Sequence, residues 1–305
     1  MSLAASALIP LVGVIVVGWF LRRSTLVPAE FWAGINKLSY QALLPATLFS
    51  VISLADFSEL QAGSFVIAGT LAFIAMGAIT LSLKVLPIDG PGFTSVFQGS
   101  VRWNGFLLLA FAQAAFGLEG AALLAIVFAP TIPIINAMCV TVLAIWGDND
   151  ISPNLSRVFG RIFTNPLILA SLAGITANWL NLFQSGPLAE TIELIGRAAL
   201  PLFLLAIGAG IDFSALRARQ GLLALAIGLK LIIAPLVFYS LGRAFGVEGM
   251  ELTLLTAMGA APGAASAYVL ASEMGGDPRL IAGHVTATTV LTVITLPFWI
   301  WFASL

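Results

Sequence analysis

The sequence predicts an all-α polytopic membrane protein of ten transmembrane helices. They form two inverted five-helix repeats, with helices 4 and 9 broken near the membrane centre. Three observations predict this: scarcity of charge, the number of apolar runs, and an internal match between the halves. Of 305 residues, 60% are hydrophobic and only 9% charged, with a mean hydropathy of +1.05. Soluble domains carry about 25% charged residues, so this chain cannot cover a water-facing surface. Most enzyme classes drop out with that. The 13 Lys and Arg against 14 Asp and Glu leave a net charge of -1, which is no footprint for nucleic acid. One cysteine, Cys139, excludes an intramolecular disulfide framework. The single histidine, His284, cannot build a multi-histidine metal or haem site.

A helix needs roughly 20 apolar residues to cross the hydrocarbon core. Ten runs approach that length: 3–21, 32–54, 62–83, 94–116, 120–146, 161–180, 190–210, 220–241, 250–272 and 280–303. The first is followed, not preceded, by Arg22 and Arg23, so it is not read as a signal peptide. The fourth is weakened at Gly105 and the fifth carries Pro130 and Pro133 before Asn136. The sixth opens after Asn165-Pro166, and the seventh begins near Glu193 and Arg197, an i,i+4 surface ion pair. The eighth contains Lys230 five residues before Pro235, the ninth is weakened at Pro262, and the tenth ends around Trp299 and Trp301. The tryptophans are expected mostly at span ends as interfacial anchors. No long strand-like alternation appears, against a β-barrel.

Cations set the orientation. With the N-terminus outside, the inner loops collect Arg22, Arg23, Lys84, Arg157, Arg161, Arg217, Arg219 and Arg279, and the outer loops keep Arg243. This positive-inside bias places both termini outside a plasma (bacterial inner) membrane.

Shifting the chain by 156 residues matches it to itself without gaps. Leu44-Pro45 falls on Leu200-Pro201, Leu48 on Leu204, Asp56-Phe57-Ser58 on Asp212-Phe213-Ser214, and Leu60 on Leu216, seven identities in seventeen positions. The repeats are 1–148 and 157–305, joined by a linker at 149–156. Five helices is an odd number, so the second repeat must enter from the opposite side. Inverted repeats are a hallmark of secondary transporters.

In such folds the site lies where paired helices are interrupted near the midplane. Gly105 and Pro262 weaken helices 4 and 9 at matching depths, because proline removes a helical hydrogen bond and glycine lets backbone approach a ligand. Freed N–H groups would then receive an anion or a polar substrate. Asn104 beside Gly105 is suited to a substrate or to broken backbone. Ser266, past Pro262 and Gly263, is a weaker candidate. Lys230 has two readings of equal weight: a receiver for a substrate carboxylate or stand-in for a coupling cation, and an ammonium bonded to freed carbonyls. Arg102 either faces the cavity or snorkels to the interface, with snorkelling favoured. His284 reads as a packed or interfacial histidine, or as a proton relay. Asp56 and Asp212 read as N-caps, and Glu273 and Asp277 as a solvated cap.

Arg102-Trp103-Asn104-Gly105-Phe106, Phe116-Gly117-Leu118-Glu119-Gly120 and Asn165-Pro166 resemble the auxin efflux carrier family. So do Ala261-Pro262-Gly263, Ala267 through Ala271, and Gly275-Gly276-Asp277. The resemblance spans nearly the whole chain. It implies a scaffold of helices 1, 2, 6 and 7, a transport domain of helices 3–5 and 8–10, helices 4 and 9 crossing, elevator-like movement, and a homodimer through the scaffold. It also turns Asn136 into a substrate contact. Where many relatives have crossing prolines, this chain has Ala110 and Ala267.

The expected function is a secondary active transporter or facilitator of a small organic anion, a carboxylate or auxin-like molecule. Its partners are that anion and the lipid bilayer. The substrate-binding candidates are Asn104, Gly105, Asn136, Lys230, Pro262, Gly263 and Ser266, with Arg102 beside them. No cofactor is expected, and the coupling ion is open between H+ and Na+. The alternative is a sodium-coupled organic anion symporter of the bile-acid-symporter type, whose broad fold the architecture also resembles. An intramembrane enzyme or a channel is less favoured. No GxxxxGK[ST] loop exists for ATP hydrolysis, and Gly275-Gly276-Asp277-Pro278 lies in a loop with no partner acid at membrane depth.

Overall fold

A computed structural model of the chain describes residues 3–24, 26–56, 62–148, 165–183 and 185–305. The described residues are helical throughout, apart from turns and short connections. Six stretches are long and apolar enough to cross a membrane: Ser6–Arg23, Ala62–Val85, Gly90–Trp146, Pro187–Ala209, Gln220–Ala244 and Pro278–Ala303. Large apolar side chains such as Ile9, Val16, Phe20, Ile67, Leu172 and Ile294 point outward, the surface that lipid requires and water forbids.

Contacts divide the chain into two compact units. Unit 1 is Met1–Ala62, Phe106–Ala129 and Gly160–Gly210, and unit 2 is Gly63–Gly105, Pro130–Phe159 and Ile211–Leu305.

Unit 1 holds α1 (Leu3–Arg23), α2 (Ala29–Leu38), a π-helical segment Ser39–Leu43, and α3 (Leu44–Leu54). It also holds α7 (Pro166–Trp179), α8 (Pro187–Arg197) and α9 (Ala199–Ala209). Arg22 and Arg23 close α1, where cations suit the negative end of the helix dipole. α1 packs along α9, with Gly18 against the Leu205 backbone and Gly208 against that of Ile15. α3 packs between α7 and α8. Asn178 Nδ2 donates to the carbonyls of Ile52, Ser53 and Ala55 at 2.8–3.1 Å, satisfying the orphan end of α3. Asn165 caps α7 through Leu167 N, as an Asn before Pro should. The Arg197–Glu193 pair forms on the surface of α8 at 2.6 Å. Phe106 packs edge-on against Phe128 and Phe203.

Unit 2 holds α4 (Ala62–Ser82) and α5 (Gly90–Val101). The long α6 (Gly105–Trp146) is broken at Gly117, φ 67°; its residues 106–129 belong to unit 1 and 130–146 to unit 2. Then come α10 (Gln220–Gly228), a second π-helical segment Leu229–Ile233, α11 (Ala234–Ala244), α12 (Gly249–Ala260), α13 (Ser266–Glu273) and α14 (Pro278–Ala303). α11 and α12 form an antiparallel hairpin with Gly259 pressed on Pro235. Phe73 packs against Trp103 and Phe238 with centroids 5.4 and 4.9 Å apart. In lipid such contacts act through close packing, since there is no water to leave behind.

The connections of unit 2 are tied by charge. Asp89 caps α5 through Gly92 N, and Asp277 caps α14 through Leu280 N at 3.0 Å. Arg219 binds Asp89, and its Nη1 lies 3.6 Å from Asp277. Asp212 accepts from Ser214 N at 2.9 Å, the cap expected of Asp-Phe-Ser. The first copy of that tripeptide falls largely on 57–58, outside the described residues, as does the whole linker 149–156.

Both π segments precede a proline, Pro45 and Pro235. In each, the helix slips to an i→i−5 bond: Leu44 N to Ser39 O, and Ala234 N to Leu229 O. Pro235 has no N–H for the Leu231 carbonyl. Trp299 Nε1 takes that carbonyl at 2.8 Å. Trp299 is therefore not the interfacial anchor its position near a span end suggested; it is buried and caps backbone.

Candidate functional site

Two helices of unit 2 stop inside it. α5 ends at Val101, and Arg102 turns to an extended backbone at φ −75°, ψ 132°. The helix resumes at Gly105. α12 ends at Ala260, Ala261 is extended at φ −61°, ψ 144°, and α13 begins at Ser266. Residues 102–104 and 261–265 touch: Asn104 N donates to the Pro262 carbonyl at 2.8 Å. Gly105 starts the resumed helix instead of sitting in the gap. Ala110 lies within α6 and Ala267 within α13, so the second break centres on Pro262. The 156-residue shift carries 102–104 onto 258–260, inside α12, so that register does not lay one gap on the other.

Arg102 corrects the favoured snorkelling. It is 9% exposed, and its fork turns inward. Nη2 donates to Asn136 Oδ1 at 2.7 Å, and Nη1 to Ser266 Oγ at 3.3 Å. Pro133 precedes Asn136 by less than a turn of α6, and Ser266 opens α13. Nε is buried without a partner. Among the described residues no carboxylate pairs with this guanidinium. A buried charge left unbalanced costs several kcal/mol by order of magnitude, and neutral oxygens orient it without neutralising it.

The second interruption is fixed from α14. Gly263 N donates to Thr288 Oγ1 at 3.0 Å, and that hydroxyl donates to the His284 carbonyl at 2.7 Å. The His284 ring fills the space beside Gly263 and Gly99: a Cβ on Gly263 would lie 2.7 Å from Nδ1, and one on Gly99 3.2 Å from the ring. Only glycine permits this approach.

Of the sequence-derived candidates, the structure joins Arg102, Asn136 and Ser266 by side chains, and Asn104 to Pro262 by backbone. Gly105 and Gly263 flank those contacts. Lys230 joins none of these hydrogen bonds. It is 1% exposed in the second π segment, and no described residue gives it a hydrogen bond or ion pair. The freed carbonyl nearest its expected role is held by Trp299. Sequence reasoning singled out neither Thr288 nor Gln98, whose amide is wholly buried with both polar atoms unpaired. The i,i+4 spacing of His284 and Thr288 was a signal that they share a face, but not of what that face meets.

An apolar helical assembly with interrupted helices around an unbalanced cation defines a multi-pass membrane transporter. Residues 154–300 match the family model described as membrane transport protein. The chain is 25% identical over 300 residues to a protein named putative malonate transporter from Rhizobium meliloti (strain 1021), covering 94% of this chain and 92% of that one. It is 23% identical over 291 residues to an uncharacterized transporter of Methanothermobacter thermautotrophicus, covering 93% of each. An uncharacterized transporter of Methanocaldococcus jannaschii matches at 23% over 303 residues, covering 94% of each. The match over 154–300 and the likeness to proteins named as transporters along nearly the whole chain mark it as a membrane transporter.

Proposed function

We propose that the protein moves a small carboxylate of the malonate class across the membrane by alternating access. The ligand's carboxylate binds where the two interruptions of unit 2 meet. The observation that carries this reading is Arg102, a membrane-depth guanidinium held by Asn136 and Ser266 with no acid to balance it. A carboxylate supplies the missing charge and suits a planar fork of donors. Asn104, Gly105, Pro262 and Gly263 bring interrupted backbone to the same place. The name of the R. meliloti relative supports a short carboxylate.

In this reading the two five-helix repeats are inverted, the termini lie outside, and helices 1, 2, 6 and 7 form a scaffold through which two copies pair. Helices 3–5 and 8–10 carry the bound anion in an elevator-like movement. The test is counterflow in proteoliposomes loaded with unlabelled malonate and diluted into labelled malonate. A carrier gives saturable, trans-stimulated uptake. Uptake without trans-stimulation would indicate a channel, and no uptake of malonate or other short carboxylates would contradict the substrate class.

A further inference from the structure

α14 carries a polar stripe on one face. His284, Thr288, Thr292 and Thr295 follow at helical spacings of four, four and three. Thr288 is bonded, but the hydroxyls of Thr292 and Thr295 are buried without partners. His284 is 1% exposed, and neither ring nitrogen makes a hydrogen bond. The π segment bearing Lys230 packs against α5, α12 and α14, and Leu229 beside it shares a buried cluster with Val96 of α5 and with Leu280 of α14, one turn before His284. Gln98 on α5 adds a second wholly buried, unpaired polar group.

Among the described residues no acid pairs with Lys230 or His284. α5 and α10 carry no charged residue. α12 has Glu251 in its first turn, α11 has Arg243 in its last, and α14 has Arg279 at its start, all near helix ends. Around His284, α5 presents Gly99 and the second interruption presents Gly263, neither of them titratable. Buried polar groups without protein partners are generally hydrated. Intramembrane ionisable groups of this kind face water and relay protons. Two bases close together in a medium of low dielectric do not both hold a proton cheaply.

We propose that Lys230 and His284 form one hydrated proton site, holding a single shared proton that moves across the membrane as the transporter cycles. A proton from one aqueous phase forms one N–H bond in the pair, and that bond breaks on release to the other phase, so one positive charge moves per cycle. The inference rests on the chain being a membrane transporter and not on the carboxylate reading.

His284 is the sole histidine, so labelling histidine with 15N gives one set of ring signals in lipid nanodiscs. Lys230→Met is expected to raise the midpoint of the His284 titration by about one pH unit, a tenfold gain in proton affinity. Superimposed titrations in the two folded proteins overturn the pair. In proteoliposomes at clamped potential, a pH gradient is expected to drive net malonate flux, with an internal pH dye recording the protons. In His284→Gln the ratio of flux under the gradient to exchange at equal pH is expected to fall to about one, whatever the absolute exchange rate. Wild-type flux indifferent to the gradient overturns the proposal even if the variant does not fold. Absence of malonate exchange counts against the carboxylate reading alone, and the titration still decides the proton site.

Discussion

Two arginines of unit 2 meet opposite conditions. Arg219 sits among helix ends, bound to Asp89 and near Asp277, with 37% of its side chain exposed. Arg102 sits where α5 breaks, 9% exposed, with neutral oxygens as partners. Arg219 links the caps of α5 and α14, and its charge is matched inside the fold. Arg102 is oriented but not matched. A membrane protein can keep a buried cation without a counter-ion when the counter-ion arrives as ligand. Balance marks a structural charge here, and imbalance marks a functional one.

The largest expected effect tests that contrast at Arg102. Arg102→Gln is expected to reduce malonate counterflow at least about 100-fold while the protein remains monodisperse in detergent, because the ligand's carboxylate loses its charged partner. Arg102→Lys keeps charge without the planar fork and should fall between the two. Next comes Asn136→Leu, which removes the 2.7 Å acceptor that aims the guanidinium. Its half-saturating malonate concentration is expected to rise about tenfold, the worth of one charge-assisted hydrogen bond.

Gly263→Ala sharpens the comparison by moving the frame and leaving the charge alone. Its Cβ would meet His284 Nδ1 at 2.7 Å. Overpacking of this kind costs about 1–3 kcal/mol, visible as a lower thermal midpoint together with slower counterflow. Arg219→Ala should have the smallest consequence: transport kept, and a midpoint lowered by an amount consistent with a partly exposed ion pair of about 0–1 kcal/mol.

Acid should act on the Arg219 side first. The hydrogen bond from Arg219 holds the Asp89 carboxyl down from 3.8 to about 2. A carboxyl lowered by folding contributes stability above its unfolded value and loses it as pH falls through the folded one. The thermal midpoint is therefore expected to drop modestly between about pH 4 and pH 2, and Asp89→Asn to flatten that drop. The effect is small because 48% of the Asp89 side chain is exposed.

Gly105 and Pro262 made both interruptions legible in sequence, because backbone without a normal side chain or N–H announces itself. Their limits were not, since the gaps at 102–104 and 261–265 depend on which backbone groups find partners across the unit. The inward turn of Arg102 was hidden for the same reason. Its partners lie 34 and 164 residues away, and nothing local distinguishes an arginine that snorkels from one held by distant oxygens. Lys230 was conspicuous as a charge in a span, but its absence from the hydrogen bonds around Arg102 was not. Trp299 was misplaced because tryptophan near a helix end usually anchors at the interface, while here the carbonyl freed by Pro235 recruits its indole. Asp212 and Asp277 were read correctly, since capping uses only neighbours in sequence.

The most direct measurement is malonate counterflow in proteoliposomes for wild type, Arg102→Gln and Arg219→Ala at matched reconstitution. The account predicts saturable counterflow in the wild type and in Arg219→Ala, and loss in Arg102→Gln. Wild-type counterflow by Arg102→Gln would contradict it, because the anion would then be held without the one buried cation the fold leaves unbalanced at the meeting of its broken helices.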